Sequence, residues 1–487
     1  MILSSALVQA ACATRSPDRQ SYVEVNSANF EVLSSLGDEE TRDLVRDLEF
    51  FHAGTLAVFG MEESPGRHGR TRVLAFDDRS PGRPFAIRGE PAYYLPGVDS
   101  GVIVLRVPDA WGRQGALPMR AAYAHRLLRS RSPIRLPLWL EEGLAEAASA
   151  IQIRDDEIRM GALIEPYVAE IKDWRRSSLA SILQEDDLSE DSDSAREQFA
   201  ALSWGLVHTL MYPVQPVAGG TGFPAKYLAV LESPGSRGGR RAADASLGGD
   251  AAELASRVHE HFQQSRFALQ LMRPQGWDPD ALELRAVSSA RISVALGELA
   301  LALDRSRLAA RLFERANRDE PDDSRALAGL ALARVDDFEA GEALARRALA
   351  GKVRDVQVPL LVGRMYAEAA AVDQDPEQRS RKLEQARENF RACLELDASL
   401  AQPRLDLALS YFIAGEDPAD GVEWLESAAS LRPGSLEIDL GRARLQASRG
   451  NRRAAIHRAR AVISRSQWDP LRDEARELIE ELEDPGR

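Results

Sequence analysis

A chain of 487 residues exceeds what a single hydrophobic core usually organises, so two or three domains are expected. Hydrophobic residues at 44% and charged residues at 28% are the balance of a packed globular chain, and after residue 20 no apolar run is long enough to span a bilayer. The formal net charge of -14 argues against a phosphate-backbone partner, and Cys12 and Cys393, at opposite ends, supply neither a disulfide framework nor a thiolate metal cluster.

The first 20 residues, MILSSALVQAACATRSPDRQ, are apolar and rich in small residues up to Cys12 and then abruptly polar. Ala10-Ala11-Cys12 followed by a polar tether resembles a bacterial lipoprotein signal, although Gln9 replaces the usual aliphatic residue and no basic residue precedes the apolar stretch. The resemblance implies lipidation at Cys12, a periplasm-facing envelope protein, and membrane contact through that anchor alone.

Residues 21–275 read as a mixed α+β domain. YVEVNSANFEVLS (22–34) alternates polar and apolar residues and reads as a strand or hairpin, and the helical spacing behind an acidic first turn in 37–60 predicts a helix. Further strands are expected at 71–78 and 100–107, and helices near 117–130, 137–150, 196–211 and 251–264. The acidic, serine-rich DDLSEDSDS (186–194) and the Gly- and Arg-rich 233–250 read as solvated loops, and GGTGFPAK (219–226), which lacks Walker spacing, reads as a turn.

After about Pro279 alanine, leucine, arginine and glutamate dominate, and helical periodicity runs to the end. Leu296, Gly297, Ala309, Phe313, Ala316 and Pro321 lie at the offsets of a helix-turn-helix repeat. Small residues there let two antiparallel helices approach, the aromatic fills the gap between units, and the proline stops the second helix. Tyr411, Ala428 and Pro433 mark a later unit. Counting the small second-helix residue at 309, 341, 386, 421 and 455 gives steps of 32, 45, 35 and 34, with the long step read as an insertion at 371–385. The segment 285–482 therefore resembles a tetratricopeptide (TPR) array of four to five units, which implies an all-α superhelix whose concave face takes a protein or peptide partner.

A second pattern concerns chemistry. Trp139, Leu140, Glu142, Gly143, Leu144, Ala145 and Glu146 match the stretch that carries the glutamate ligand in gluzincin (peptidase MA-like) metallopeptidases, and the chain upstream resembles their histidine-bearing helix. A thermolysin-like site needs two imidazoles four residues apart on one helix face, with a glutamate between them as base. The resemblance places His125 at the second histidine ligand and Glu142 at the glutamate ligand. It leaves Ala121 at the first ligand and Ala122 at the base, with Tyr123, Trp139 and Gly143 as supporting motif residues. Ala200 and Leu202 stand where such relatives tend to carry tyrosine and glutamine.

Two methyl groups hold no cation and accept no proton. The expectation is a thermolysin/gluzincin-like domain with a degenerate site, no catalytic residue and no cofactor, joined to a TPR superhelix that binds or scaffolds proteins at the cell envelope. The alternative is an active zinc peptidase with a rearranged site of His125, Glu142 and His208, which would carry zinc. Neither His259 with His261, whose spacing is wrong for one helical face, nor His52, His68 and His457 offers a ligand set.

Overall fold

The computed structural model describes residues 20–63, 69–76, 85, 87, 90–106, 111, 116–132, 134–173, 179–213, 222–231, 247–264, 266–274, 276–278, 281–351, 353–414 and 418–483. The expected lipidation site Cys12, His68 and most of the 233–250 loop lie outside these residues.

A six-stranded mixed sheet organises the N-terminal half. Strands β1 (Tyr22–Asn26) and β2 (Phe30–Ser34) form the hairpin expected at 22–34, and α1 (Asp38–Phe59) crosses over to β3 (Thr71–Ala75), which is parallel to β2. β4 (Ala92–Leu95) and β5 (Val102–Leu105) complete one side, and β9 (Arg285–Val287) closes the other by pairing with β1, giving the order β4-β5-β3-β2-β1-β9. β9 stands at the head of the region that the sequence assigns to the repeats. Helix α1 ends where Gly60 takes a left-handed conformation, φ 66°, and returns its N–H to the carbonyls of Ala57 and Leu56.

Alternation in these strands buries both faces. Val25, Phe30, Val32, Val73 and Ile103 point into one core with α1, α2 (Leu117–Arg131), α3 (Leu138–Ser149) and α6 (Asp193–Met211). Tyr22, Leu33, Leu74 and Val104 point into a second core that they share with the first helices of the C-terminal half. Around these elements lie α4 (Glu165–Asp173), α5 (Leu179–Gln184), α7 (Phe223–Leu231) and α8 (Ala251–Phe262). A separate three-stranded sheet is formed by β6 (Gln152–Arg154), β7 (Glu157–Met160) and β8 (Gln270–Met272). The turn expected across 219–226 gives way to helix from Phe223, because Phe223, Tyr227 and Leu228 bring an apolar face onto the core.

The C-terminal half is helical throughout its described residues. Five hairpins follow one another: α9 (Ser289–Ala302) with α10 (Ser306–Asp319), α11 (Ser324–Ala333) with α12 (Phe338–Ala348), α13 (Gln357–Ala371) with α14 (Pro376–Leu396), α15 (Gln402–Ala414) with α16 (Pro418–Leu431), and α17 (Leu436–Ser448) with α18 (Arg452–Arg465). A last helix, α19 (Asp469–Glu483), packs on α18. These are TPR-like repeats. Leu296, Ala309, Phe313, Ala316 and Ala428 are buried, and Pro321 and Pro433 lie in the turns that lead to α11 and α17. Tyr411 lies under the Arg387 guanidinium at 3.9 Å.

Phe313 explains the glycines. A Cβ on Gly297 would come within 2.7 Å of its ring, and one on Gly329, in the next unit, would press into the same ring more closely still. Phe390 repeats the arrangement under Gly363 at 2.6 Å. The long step is not an inserted loop: Asp375 caps and Pro376 opens α14, so the extra residues lengthen that helix to 21 residues at its N-terminal end.

Because Phe313 fills the space that Gly329 leaves empty, Gly329→Val should overpack this junction. We expect a loss of about 1–3 kcal/mol in urea unfolding, with α-helical circular dichroism retained in the absence of denaturant.

Candidate functional site

Helices α2 and α3 bring together the residues singled out by sequence. The α3 segment owes its glycine to packing: a Cβ on Gly143 would collide with the Ser203 carbonyl of α6, so only glycine allows the two helices to approach this closely. Trp139, fully buried, meets the edge of Tyr227 with ring centroids 5.6 Å apart. Tyr123 points to the opposite side of α2 from His125. Its hydroxyl lies 2.7 Å from His52 Nδ1, and His52 Nε2 lies 3.0 Å from Glu63. Burial holds the Tyr123 phenol well above its usual range, so it stays protonated beside His52.

His125 is 1% exposed and faces two carboxylates. Its Nε2 lies 3.3 Å from Glu142 and its Nδ1 lies 3.5 Å from Glu141. Burial alone would lower the imidazole pKa, but Glu142 and Glu141 raise it. One turn along α3, Glu146 is pushed up to about 7 by burial and by the neighbouring Glu142 charge, and it accepts a hydrogen bond from Ser149 Oγ at 3.3 Å. Ala121 is buried, and Ala122 lines a cavity of about 40 Å³, the space of a water molecule or so, with Arg126, Gln467 and Trp468. Among the described residues no group of three or more His, Cys, Asp or Glu side chains has the geometry to hold a metal ion.

The last repeat supplies what the sequence did not reveal. The turn between α18 and α19 lies over this site: the Gln467 side-chain amide is 3.0 Å from His125 Nε2. Arg465 pairs with Glu141 and donates to the Leu136 carbonyl at 3.0 Å. Arg129 completes the group, donating to Glu141 at 2.6 Å and to the carbonyl of Arg465. Burial would raise the Glu141 pKa, but Arg129 and Arg465 hold it well below the usual carboxylate range. The carboxylate neutralised in this group is Glu141, one residue before the one aligned with the ligand. The 186–194 segment, expected as a solvated loop, also meets this turn, the Leu188 amide donating to Ser464 Oγ at 2.9 Å.

His208 lies in a different cluster. Its Nδ1 is 2.9 Å from His261 Nε2, and its Nε2 is 3.1 Å from the Gly161 carbonyl. Trp204, Tyr212, Phe262 and Phe267 surround the two imidazoles. Burial pushes both His208 and His261 down to about 4, so they sit neutral in an aromatic box. The exposed His259 takes no part in this pair. Ala200 and Leu202 are buried on α6. Nothing local in the sequence announced the histidine pair, because its members are 53 residues apart.

No family model matches the chain, and a comparison with curated proteins returned no match. Among solved structures, the chain is similar to a thermophilic TPR protein of Thermus thermophilus, with 23% identity and a TM-score of 0.35, covering 39% of this chain and 98% of that one. The repeat architecture described above rests on the helix pairing within this chain.

Two outcomes follow. Glu141→Gln should destabilise the chain by about 3 kcal/mol, since it strands a buried cation, whereas the half-buried Glu142→Gln should cost about 1 kcal/mol or less; urea titrations compare them. His208 has a folded pKa of about 4 against 6.5 unfolded, so the unfolded state binds more protons between those values and stability falls as pH drops below 6.5. At pH 5 the loss from His208 is about 2 kcal/mol, read as a lower urea midpoint than at pH 7.5 and abolished in a His208→Gln, His261→Gln variant.

Proposed function

We propose that this protein is a non-catalytic binding protein, a pseudopeptidase in ancestry, whose TPR-like array scaffolds a polypeptide partner. The observation that carries the reading is the state of the α2–α3 site. Alanines stand at 121 and 122, and the ring nitrogen of His125 that faces Glu142 also faces Gln467 of the array. A gluzincin zinc centre requires three protein ligands and a base, and a general acid-base group alone is worth about 10²- to 10⁴-fold in rate. His125 and Glu142 are then residual ligand positions that serve as a helix-to-helix contact.

The inner surface of the array supports a binding role. Part of it is taken up by the sheet, and the part left open is a cleft of about 480 Å³ walled by Arg72 on the sheet side and by Leu299, Leu332, Leu361, Arg364 and Glu368 on first helices of successive repeats. Leucines interspersed with charged side chains of both signs suit an extended segment of another protein. The envelope location belongs to the same proposal and rests on the Cys12 motif; no helix among the described residues is long and apolar enough to cross a membrane.

Elemental analysis of the purified chain should return well under one zinc per molecule, and protein hydrolysis should be insensitive to chelators. One tightly held zinc with chelator-sensitive turnover would establish the rival peptidase instead, with His125 and Glu142 as two of its ligands. Cys12→Ser should move the protein from the membrane to the soluble fraction on cell fractionation.

A further inference from the structure

The array is attached to the sheet differently at its two ends. At the near end the attachment is apolar: Leu296, Leu299, Leu312 and Phe313 share a core with Leu33, Leu74 and Val104 of the sheet. In the middle Val98 alone joins the apolar cluster of α15–α17, and the Asp99 carboxylate accepts the Ala401 and Gln402 amides at 2.9 and 2.8 Å, capping α15. At the far end the apolar cluster of α17–α19 is drawn from the array by itself.

What joins that end to α2, α3 and α6 is mainly polar, although Trp468 packs against the core that the sheet shares with the first repeats. Arg135 pairs with Asp439, Arg460 with Glu190, and Arg465 with Glu141, and Arg196 donates to the Ile463 carbonyl. A small cavity remains between Ala122 and the side chains of Trp468 and Leu471. Interfaces of this polar kind between parts of a chain are the ones that open, while a shared apolar core stays closed.

The end of α18 and the link to α19 also have the chemistry of a bound ligand. Arg465, the last residue of α18, presents its guanidinium to Glu141 and its main-chain carbonyl to Arg129, and in the non-helical link Ser466–Trp468 the Gln467 side-chain amide faces His125. On the receiving surface Glu141 takes the Arg465 guanidinium beside that of Arg129, and Glu142 follows it on α3.

We infer that the α2–α3 face around His125 is a peptide-docking surface that the chain's own Arg465–Gln467 stretch fills in cis, and that its external partner is a peptide segment presenting an arginine followed two residues on by an amide side chain. Such a segment gains access when the polar far end of the array swings away about its apolar near end. The inference extends the binding role proposed above to a second surface, and its outcome does not depend on whether zinc is present.

The test uses the full chain and a fluorophore-labelled peptide of the sequence of Ile463–Asp469. In the Arg465→Ala, Gln467→Ala variant Arg129 still neutralises Glu141, so the chain should fold, and the peptide should bind it at least tenfold more tightly than it binds the unaltered chain. Replacing the peptide's arginine and glutamine by alanine should abolish that binding. A folded variant that ignores the peptide, or that binds the alanine peptide equally well, overturns the inference.

A second readout needs no substitution. Raising the salt from 0.05 to 0.5 M should speed amide exchange in α3 and α18 and leave α9–α10 unchanged; protection in α3 that does not respond to salt overturns the hinged opening. If the variant instead takes up one zinc and hydrolyses protein, the non-catalytic reading falls while peptide binding is scored separately.

Discussion

A carboxylate buried inside a protein must be met by a cation, and here Glu141 is met from two directions. Arg129 comes from the neighbouring helix and Arg465 from the far end of the repeat array, 324 residues along the chain. Desolvation penalises all three charges, so the arrangement holds only while the array is closed over α2 and α3. That one requirement fixes the position of the α18–α19 turn, and with it Gln467 over His125. Much of the geometry at the candidate site is a consequence of neutralising Glu141.

The two halves of the chain are consequently less separate than their compositions suggest. A sheet with two apolar faces cannot stand with one face in water, and its second face is covered by α9 and α10. The first repeat is thus part of the core of the N-terminal half. Later repeats are joined to that half mainly by a cap at Asp99 and by ion pairs, with Val98 and Trp468 as apolar contacts, and ion pairs are more responsive to salt than an apolar core.

The α2–α3 pair is a packing contact at positions 121 and 122 and a polar one at His125. Methyl groups at 121 and 122 leave no unpaired donor behind, so their burial carries no desolvation cost. Around them His125 lies between two carboxylates, Glu146 accepts from Ser149, and Gly143 serves the approach of α6. His208, which could have joined them, is satisfied in its own aromatic box by His261 and Gly161.

Local signals in the sequence determined what local physics controls. The hairpin at 22–34, the helix after Gly37, and the repeat units with their small residues, Phe313 and turn prolines are all written within windows of a few turns, where periodicity and backbone preference act. His125 and Glu142 are paired by a resemblance to a known motif rather than by local pattern, and their side chains lie 3.3 Å apart. The lengthened α14 reads as an insertion in the sequence, since a polar helix surface and a polar loop have the same composition. What only the tertiary structure decided was which distant charges meet. The pairing of Glu141 with Arg465, the closing of Gln467 over His125 and the joining of His208 to His261 depend on how distant parts of the chain are brought back together. For the first two, the return is set by the curvature of the superhelix, which is the accumulated rotation of many repeats, and no short stretch of sequence encodes it.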